Sequence, residues 1–123
     1  MICKVDHIVI TTSNVDACTA FYKALGFRAE NTGTRWELFS GDFKINVHCK
    51  GHEPEPKAAH VQTGSADFCM EIDGSIAKCK EQLIEKGIKI ELGIVPRQGA
   101  RGEMHSIYMR DPDENLIELC SYE

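Results

Sequence analysis

The chain has 123 residues and a mass of 13.7 kDa, which suits one compact domain. Hydrophobic residues at 42% and charged residues at 27% exclude a disordered chain, and no apolar run approaches the ~18 residues of a membrane span. A net charge of −5, with 14 basic residues scattered among 19 acidic ones, repels phosphate backbones and argues against a nucleic-acid partner.

Met1-Ile2-Cys3-Lys4-Val5 runs into strand-like sequence without a charged segment, apolar stretch and cleavage site. Six cysteines contain no Cys-x-x-Cys pair and mostly sit in apolar runs. The expectation is reduced, buried thiols in a cytoplasmic protein, although an even count leaves disulfides formally open.

Val5 to Thr11 alternates and is rich in β-branched residues, which predicts a strand. Asn14 is a capping candidate for a helix carrying Val15, Cys18, Phe21, Tyr22 and Leu25, with Gly26 as its stop. Three short strands follow at Phe27 to Glu30, Arg35 to Phe39 and Phe43 to Cys49. Gly51, Pro54, Pro56, Gly64 and Ser65 mark residues 51–66 as a linker. The order then repeats: a strand at Asp67 to Ile72, a helix begun by Asp73-Gly74-Ser75 and ended by Gly87, and strands at Ile88 to Leu92, Met104 to Met109 and Asn115 to Cys120. Val95 to Gly102, with two arginines and Pro96, reads as a mobile loop, and Asp111 to Asn115 as a simple turn.

From His7 to Gly26 is 19 residues and from Asp67 to Gly87 is 20. Matching order, helix length and stop glycine indicate a duplicated βαβββ unit. The expected fold is α+β: one domain, residues 1–123, of two βαβββ modules (about 1–50 and 67–123) forming a cleft-lined, half-barrel mixed sheet with helices outside.

Strand parity sorts the side chains. His7, Val9 and Thr11 share one face of the first strand, Lys44, Asn46 and His48 one face of the fourth, and Asp67, Cys69 and Glu71 one face of the fifth. Glu118 is the one charge within the apolar run Leu116 to Cys120 and requires a cation, either a metal ion or a distant arginine such as Arg97, Arg101 or Arg110. His7 and Asp67 hold matching places in the repeat. Together with Glu118 and either His48 or Asn46 they form a candidate site for Zn²⁺, Ni²⁺, Mn²⁺ or Fe²⁺. Glu118 and Asp67 are also candidate general bases. Ser106, Tyr108 and Arg110 share one parity and, with Arg97, are candidates to orient an anionic or carbonyl substrate. Each has a plainer reading: an exposed strand face, a solvated loop, or, for Asp67, a hydrogen-bonding turn residue.

The sequence resembles the vicinal oxygen chelate superfamily, which includes glyoxalase I, fosfomycin-resistance thiol transferases, extradiol dioxygenases, methylmalonyl-CoA epimerase and bleomycin-binding proteins. Asp6 to Ile10, Phe21 to Phe27 and Arg110 to Glu118 carry the resemblance. Lys44 to His48, Glu55 to His60, Gly64 to Asp67 and Pro96 to Ala100 look like a branch labelled lactoylglutathione lyase or virulence protein. By resemblance, His7 and Glu118 match the superfamily's first- and last-strand ligands. The fifth-strand ligand, usually His, falls on Asp67, and the fourth-strand ligand on Asn46 or His48. Ser106 and Tyr108 match substrate-holding positions of the thiol transferases. The resemblance implies a metal-dependent lyase or isomerase acting on a small substrate with vicinal oxygens through an enediolate. Ring-cleaving dioxygenase, thiol transferase and metal-free drug- or metabolite-binding activities are alternatives on the same scaffold. A homodimer is expected.

Overall fold

The computed structural model describes residues 1–123, which divide into two compact units, Met1–Ser65 and Ala66–Glu123. The first contains β1 (His7–Thr12), α1 (Val15–Ala24), β2 (Arg28–Asn31), β3 (Trp36–Ser40) and β4 (Phe43–Cys49). The second contains β5 (Asp67–Glu71), α2 (Ile76–Glu85), β6 (Ile90–Gly99), β7 (Gly102–Arg110) and β8 (Leu116–Ser121). Each forms its own four-stranded sheet, in the orders β1-β4-β3-β2 and β5-β8-β7-β6. In both, the outer pair (β1/β4, β5/β8) is parallel and the other pairs antiparallel. The α+β fold of two mixed sheets with one helix each is therefore the fold expected from the repeat.

The helices begin where side-chain chemistry predicts. Asn14 Oδ1 accepts from the Ala17 amide at 3.0 Å, and Ser75 Oγ accepts from the Lys78 amide at 3.3 Å, so each satisfies an amide with no intrahelical partner. Helix α1 packs on β2 and β3, burying Cys18 and Tyr22 with Leu38, Ile45 and Val47. Tyr22 meets Phe21 and Phe27 edge-on, at centroid distances of 5.1 and 5.8 Å. Helix α2 packs on β6, β7 and β8, where Leu83 is buried with Ile107, Met109, Ile117 and Leu119. One face of each sheet is thus committed to its helix, and the alternate residues project from the other.

Three local expectations need correction. Val95 to Gly102 is not a loop: β6 runs from Ile90 to Gly99 and joins β7 in a long hairpin, interrupted by irregular pairing near Leu92 and Val95. Pro96 is tolerated because β6 is an edge strand and needs no amide hydrogen on its open side. The thiols are not uniformly buried: all six are free, with Cys3, Cys49 and Cys69 exposed and Cys18 and Cys120 buried. The turn at Asp111 to Asn115 is a buried polar knot, with Asp111 3% and Asn115 2% exposed. Asp111 Oδ1 accepts from the amides of Asp113 and Asn115, and its Oδ2 from Asn115 Nδ2 at 2.8 Å. Asn115 Oδ1 in turn accepts from the Ala66 amide at 2.9 Å, fixing the start of β5 beside that of β8.

Candidate functional site

The strand register defines the polar face of each sheet. In the first unit, His7 stands opposite Lys44, Val9 opposite Asn46, and Thr11 opposite His48. In the second, Asp67 stands opposite Leu116, Cys69 opposite Glu118, and Glu71 opposite Cys120. If His7 and Asp67 are equivalent, the register makes Asn46 the counterpart of Glu118 and His48 the counterpart of Cys120. His7 and His48 are not brought together. Four residues of strand separate their rows, about 13 Å at the usual rise. Asn46 lies two rows from His7, as Glu118 does from Asp67.

His7 has a carboxylate at its back. Its Nδ1 lies 2.7 Å from Asp6 Oδ2, and this hydrogen bond to His7 holds the Asp6 carboxyl below the usual carboxylate range. An ionised carboxylate only accepts, so Nδ1 carries the proton and donates. Such a carboxylate behind a histidine is what orients an imidazole for a cation. The adjacent Asp6-His7 pair was visible in the sequence, but the contact between their side chains was not.

Further along the first sheet, Asn46 is 4% exposed and its Oδ1 has no hydrogen-bond partner. Its neighbour across β3 is Glu37, itself 8% exposed. Glu37 accepts from Lys44 Nζ at 2.5 Å and lies 3.4 Å from Arg35 Nε. The hydrogen bond from Lys44 is the main reason the Glu37 carboxyl titrates below its usual range. Burial, and secondarily Arg35, push the His48 imidazole down, favouring its neutral form.

On the second sheet, three rows cross the strands: Asp67–Leu116–Arg110, Cys69–Glu118–Tyr108, and Glu71–Cys120–Ser106. Glu118 is half-buried in the central row. The three arginines that the sequence offered as its partners are engaged elsewhere. Arg101 forms a bidentate pair with Glu71 at 2.9 and 3.0 Å, and Arg110 one with Glu91 at 3.0 and 3.1 Å. Arg97 Nε donates to Tyr108 Oη at 2.9 Å, with its guanidinium 5.4 Å from the ring centroid. Arg110 therefore faces a protein carboxylate, whereas Arg97 and Tyr108 form one polar unit. Ser106 is fully buried and its Oγ lacks a partner. Asp67 is exposed and close enough to Arg110 to favour that guanidinium's charge.

Within neither unit do three His, Cys, Asp or Glu side chains converge closely enough to hold an ion. Taken singly, the groups have donor chemistry that suits a divalent ion: in the first unit an imidazole and an orphaned amide oxygen, and in the second a half-buried carboxylate with no basic partner.

Residues 4–119 match the model of the Glyoxalase/Bleomycin resistance protein/Dioxygenase superfamily. The chain belongs to this superfamily. Among curated relatives of this glyoxalase-superfamily chain, the glyoxalase domain-containing protein RDO1 of Mycosarcoma maydis is 48% identical over 121 residues, covering 98% of the chain and 69% of the relative. The virulence protein STM3117 of Salmonella typhimurium is 42% identical over 121 residues, covering 97% and 84%. Its crystal structure matches with a TM-score of 0.96 over 100% of this chain and 99% of that one. A lactoylglutathione lyase from Agrobacterium tumefaciens, 19% identical, matches with a TM-score of 0.72 over 97% and 93% of the two chains, a likeness of fold alone.

Proposed function

We propose that this chain is a metal-dependent enzyme of the glyoxalase type, acting on a small substrate with two vicinal oxygens. Glu118 carries the reading: a half-buried carboxylate on a sheet face with no lysine or arginine against it, facing a thiol and a phenol. A carboxylate so placed favours a divalent cation as its counter-charge. His7 and Glu118 are the proposed ligands, with Asp67 or Asn46 as a further oxygen donor. His48 is the weaker assignment because of its distance in register from His7. Zn²⁺, Ni²⁺, Mn²⁺ and Fe²⁺ all suit such a nitrogen and oxygen donor set. Bound there, the ion supplies Lewis acidity toward the substrate's paired oxygens.

The chain's own residues account for the remaining steps. Asp6 holds His7 in one tautomer. Arg97 donates to the Tyr108 oxygen, which leaves the phenolic proton free to be donated to a substrate oxygen as charge develops there. Glu118 or Asp67 takes the proton from the carbon beside the substrate carbonyl. Ser106 Oγ, buried and unpartnered, offers a further polar contact for the substrate. The lactoylglutathione lyase of like fold illustrates this class of chemistry and does not fix the substrate. The reading includes a homodimer working in the cytoplasm, and sedimentation at micromolar concentration tests the dimer.

The decisive experiment measures metal content by mass spectrometry after reconstitution, for the parent, His7→Ala and Glu118→Gln. One ion per chain in the parent and at least a tenfold loss in both variants is the expected result. Equal, negligible occupancy in all three overturns it and favours a metal-free binding protein.

A further inference from the structure

The chain has five arginines, and four of them are held against carboxylates: Arg28 by Glu30, Arg35 by Glu37, Arg101 by Glu71 and Arg110 by Glu91. Arg97 has none; its partners are the Tyr108 hydroxyl and the Pro96 carbonyl. It stands on β6 in register with Met104, and so on the face of the second sheet that carries Ser106, Tyr108 and Glu118. Glu103, next to Met104 on β7, is in register with Gln98 and belongs to the opposite face.

Although exposed, the Arg97 side chain is already held in place. Nε donates to Tyr108 Oη at 2.9 Å, Nη1 donates to the Pro96 carbonyl oxygen at 3.0 Å, and the guanidinium lies 5.4 Å from the Tyr108 ring centroid. These bonds use two of its five N–H groups and leave three without an acceptor. A side chain fixed in this way loses little further freedom when it takes a ligand. Three N–H groups of a positioned guanidinium with no protein acceptor call for an oxyanion.

Charge selects the kind of oxyanion. Glu71 is taken by Arg101, and Asp67 is on β5, two strands from β7. Arg97 is therefore the one uncompensated cation here, and Glu118 shares its face, which suits a monoanion and opposes a dianionic phosphate. A carboxylate is singly charged, and its two oxygens match the planar donors of a guanidinium. Tyr108 links the two ends of the face, because Arg97 holds its hydroxyl and it is in register with Glu118. One small molecule can thus meet Arg97 and the surroundings of Glu118 together.

We propose that Arg97 selects a substrate bearing a carboxylate in addition to its paired oxygens. The inference rests on the metal-dependent reading above for the paired oxygens, and on Arg97 itself for the anion.

The test is isothermal titration of the full chain, after metal reconstitution, at fixed ionic strength. The probes are 2-oxoglutarate and 2-oxoadipate, which carry paired oxygens at one end and a carboxylate at two different reaches from it. Each is compared with its distal methyl ester, which lacks that charge. At least one diacid should bind about tenfold or more tighter than its ester. Arg97→Gln should bring the ratio to about one, and Arg97→Lys should restore part of it. Arg28→Gln, which removes an exposed arginine of the first unit, should leave the ratio intact. A ratio near one for both pairs in the parent, or one that survives Arg97→Gln, overturns the proposal. Failure of the metal-dependent reading shows separately, as absent metal uptake. The ratio is then read on the metal-free protein, where a carboxylate preference abolished by Arg97→Gln still upholds the role of Arg97.

Discussion

The aspartate behind His7 illustrates how a single contact fixes the direction of a common residue's ring. Asp6 is exposed and adds little to stability as an ion pair, yet it fixes which imidazole nitrogen carries the proton. Asp6→Asn should therefore leave the melting temperature nearly unchanged while weakening divalent-ion affinity about 10–100-fold, the usual effect of losing such a partner. Isothermal titration of both proteins with Zn²⁺ checks this, and equal affinities would show the aspartate to be incidental. Tyr108→Phe makes the complementary case on the second sheet. It removes the hydroxyl held by Arg97 but keeps the ring under the guanidinium, so folding should persist while turnover of an enediolate-forming substrate falls at least tenfold. Sequence parity alone placed His7, Glu118 and Tyr108 on polar faces. It did not reveal Asp6 or Glu37 as partners, because a pairing partner is defined by direction and distance rather than by spacing.

At the scale of elements, both βαβββ units were legible because each level of signal agreed: alternation in strands, three- and four-residue steps in helices, caps and stop glycines. Of edge strand β6, the start expected within Ile88 to Leu92 was legible and the rest, to Gly99, was not. Its Pro96, Arg97, Gln98 and Gly99 have loop composition, and only its open edge makes them compatible with a strand. The hairpin depends on close backbone approach at Gly93, with φ of +117°, where a Cβ would stand 2.5 Å from the Ser106 carbonyl oxygen and 2.9 Å from Ile107 Cα. Gly93→Ala should thus cost several kcal/mol, on the order of the backbone-strain and overpacking penalties combined, and be read as a lowered urea midpoint. The polar knot at Asp111 to Asn115 was misread for a related reason: turn composition does not disclose burial. Asp111→Ala would leave the amides of Asp113 and Asn115 and the Asn115 carboxamide without that acceptor. A loss of about 3 kcal/mol is expected, since each orphaned buried group costs about 1–3 kcal/mol. As Asn115 also holds Ala66, activity should fall with stability in this variant, unlike in Tyr108→Phe.

Over the whole molecule, the ionisable groups bound a pH window of stability. Six carboxyls titrate below their ordinary range: Asp6, Glu37, Asp42, Glu53, Glu71 and Glu91. Hydrogen bonds are the main cause in each: Glu53 binds backbone amides, and the others bond to histidine, lysine or arginine. The unfolded chain therefore holds more protons in acid, so this stabilisation is complete above the ordinary carboxyl values of 3.8 and 4.5. It is lost as pH falls through the lower folded values. Most of these groups are exposed and contribute little singly; Glu37, buried between Lys44 and Arg35, is the least screened by solvent. At the other end, burial raises the thiols of Cys69, Cys79 and Cys120 above the ordinary 9.0. There the unfolded chain ionises first, and stability falls as pH rises past 9. Because the His48 imidazole is also held below its ordinary 6.5, urea midpoints should form a plateau from about pH 7 to pH 8.5 with a decline on each side, His48 beginning the acid one and the carboxyls completing it. Glu37→Gln should lower the plateau by about 1.5–3 kcal/mol, the range for a hydrogen bond to a charged group, and flatten the acid limb. Cys69→Ser should leave the plateau in place and flatten the alkaline limb. An acid limb unchanged in Glu37→Gln would mean that Lys44 and Arg35 do not favour the ionised carboxylate, contrary to the contacts that surround it.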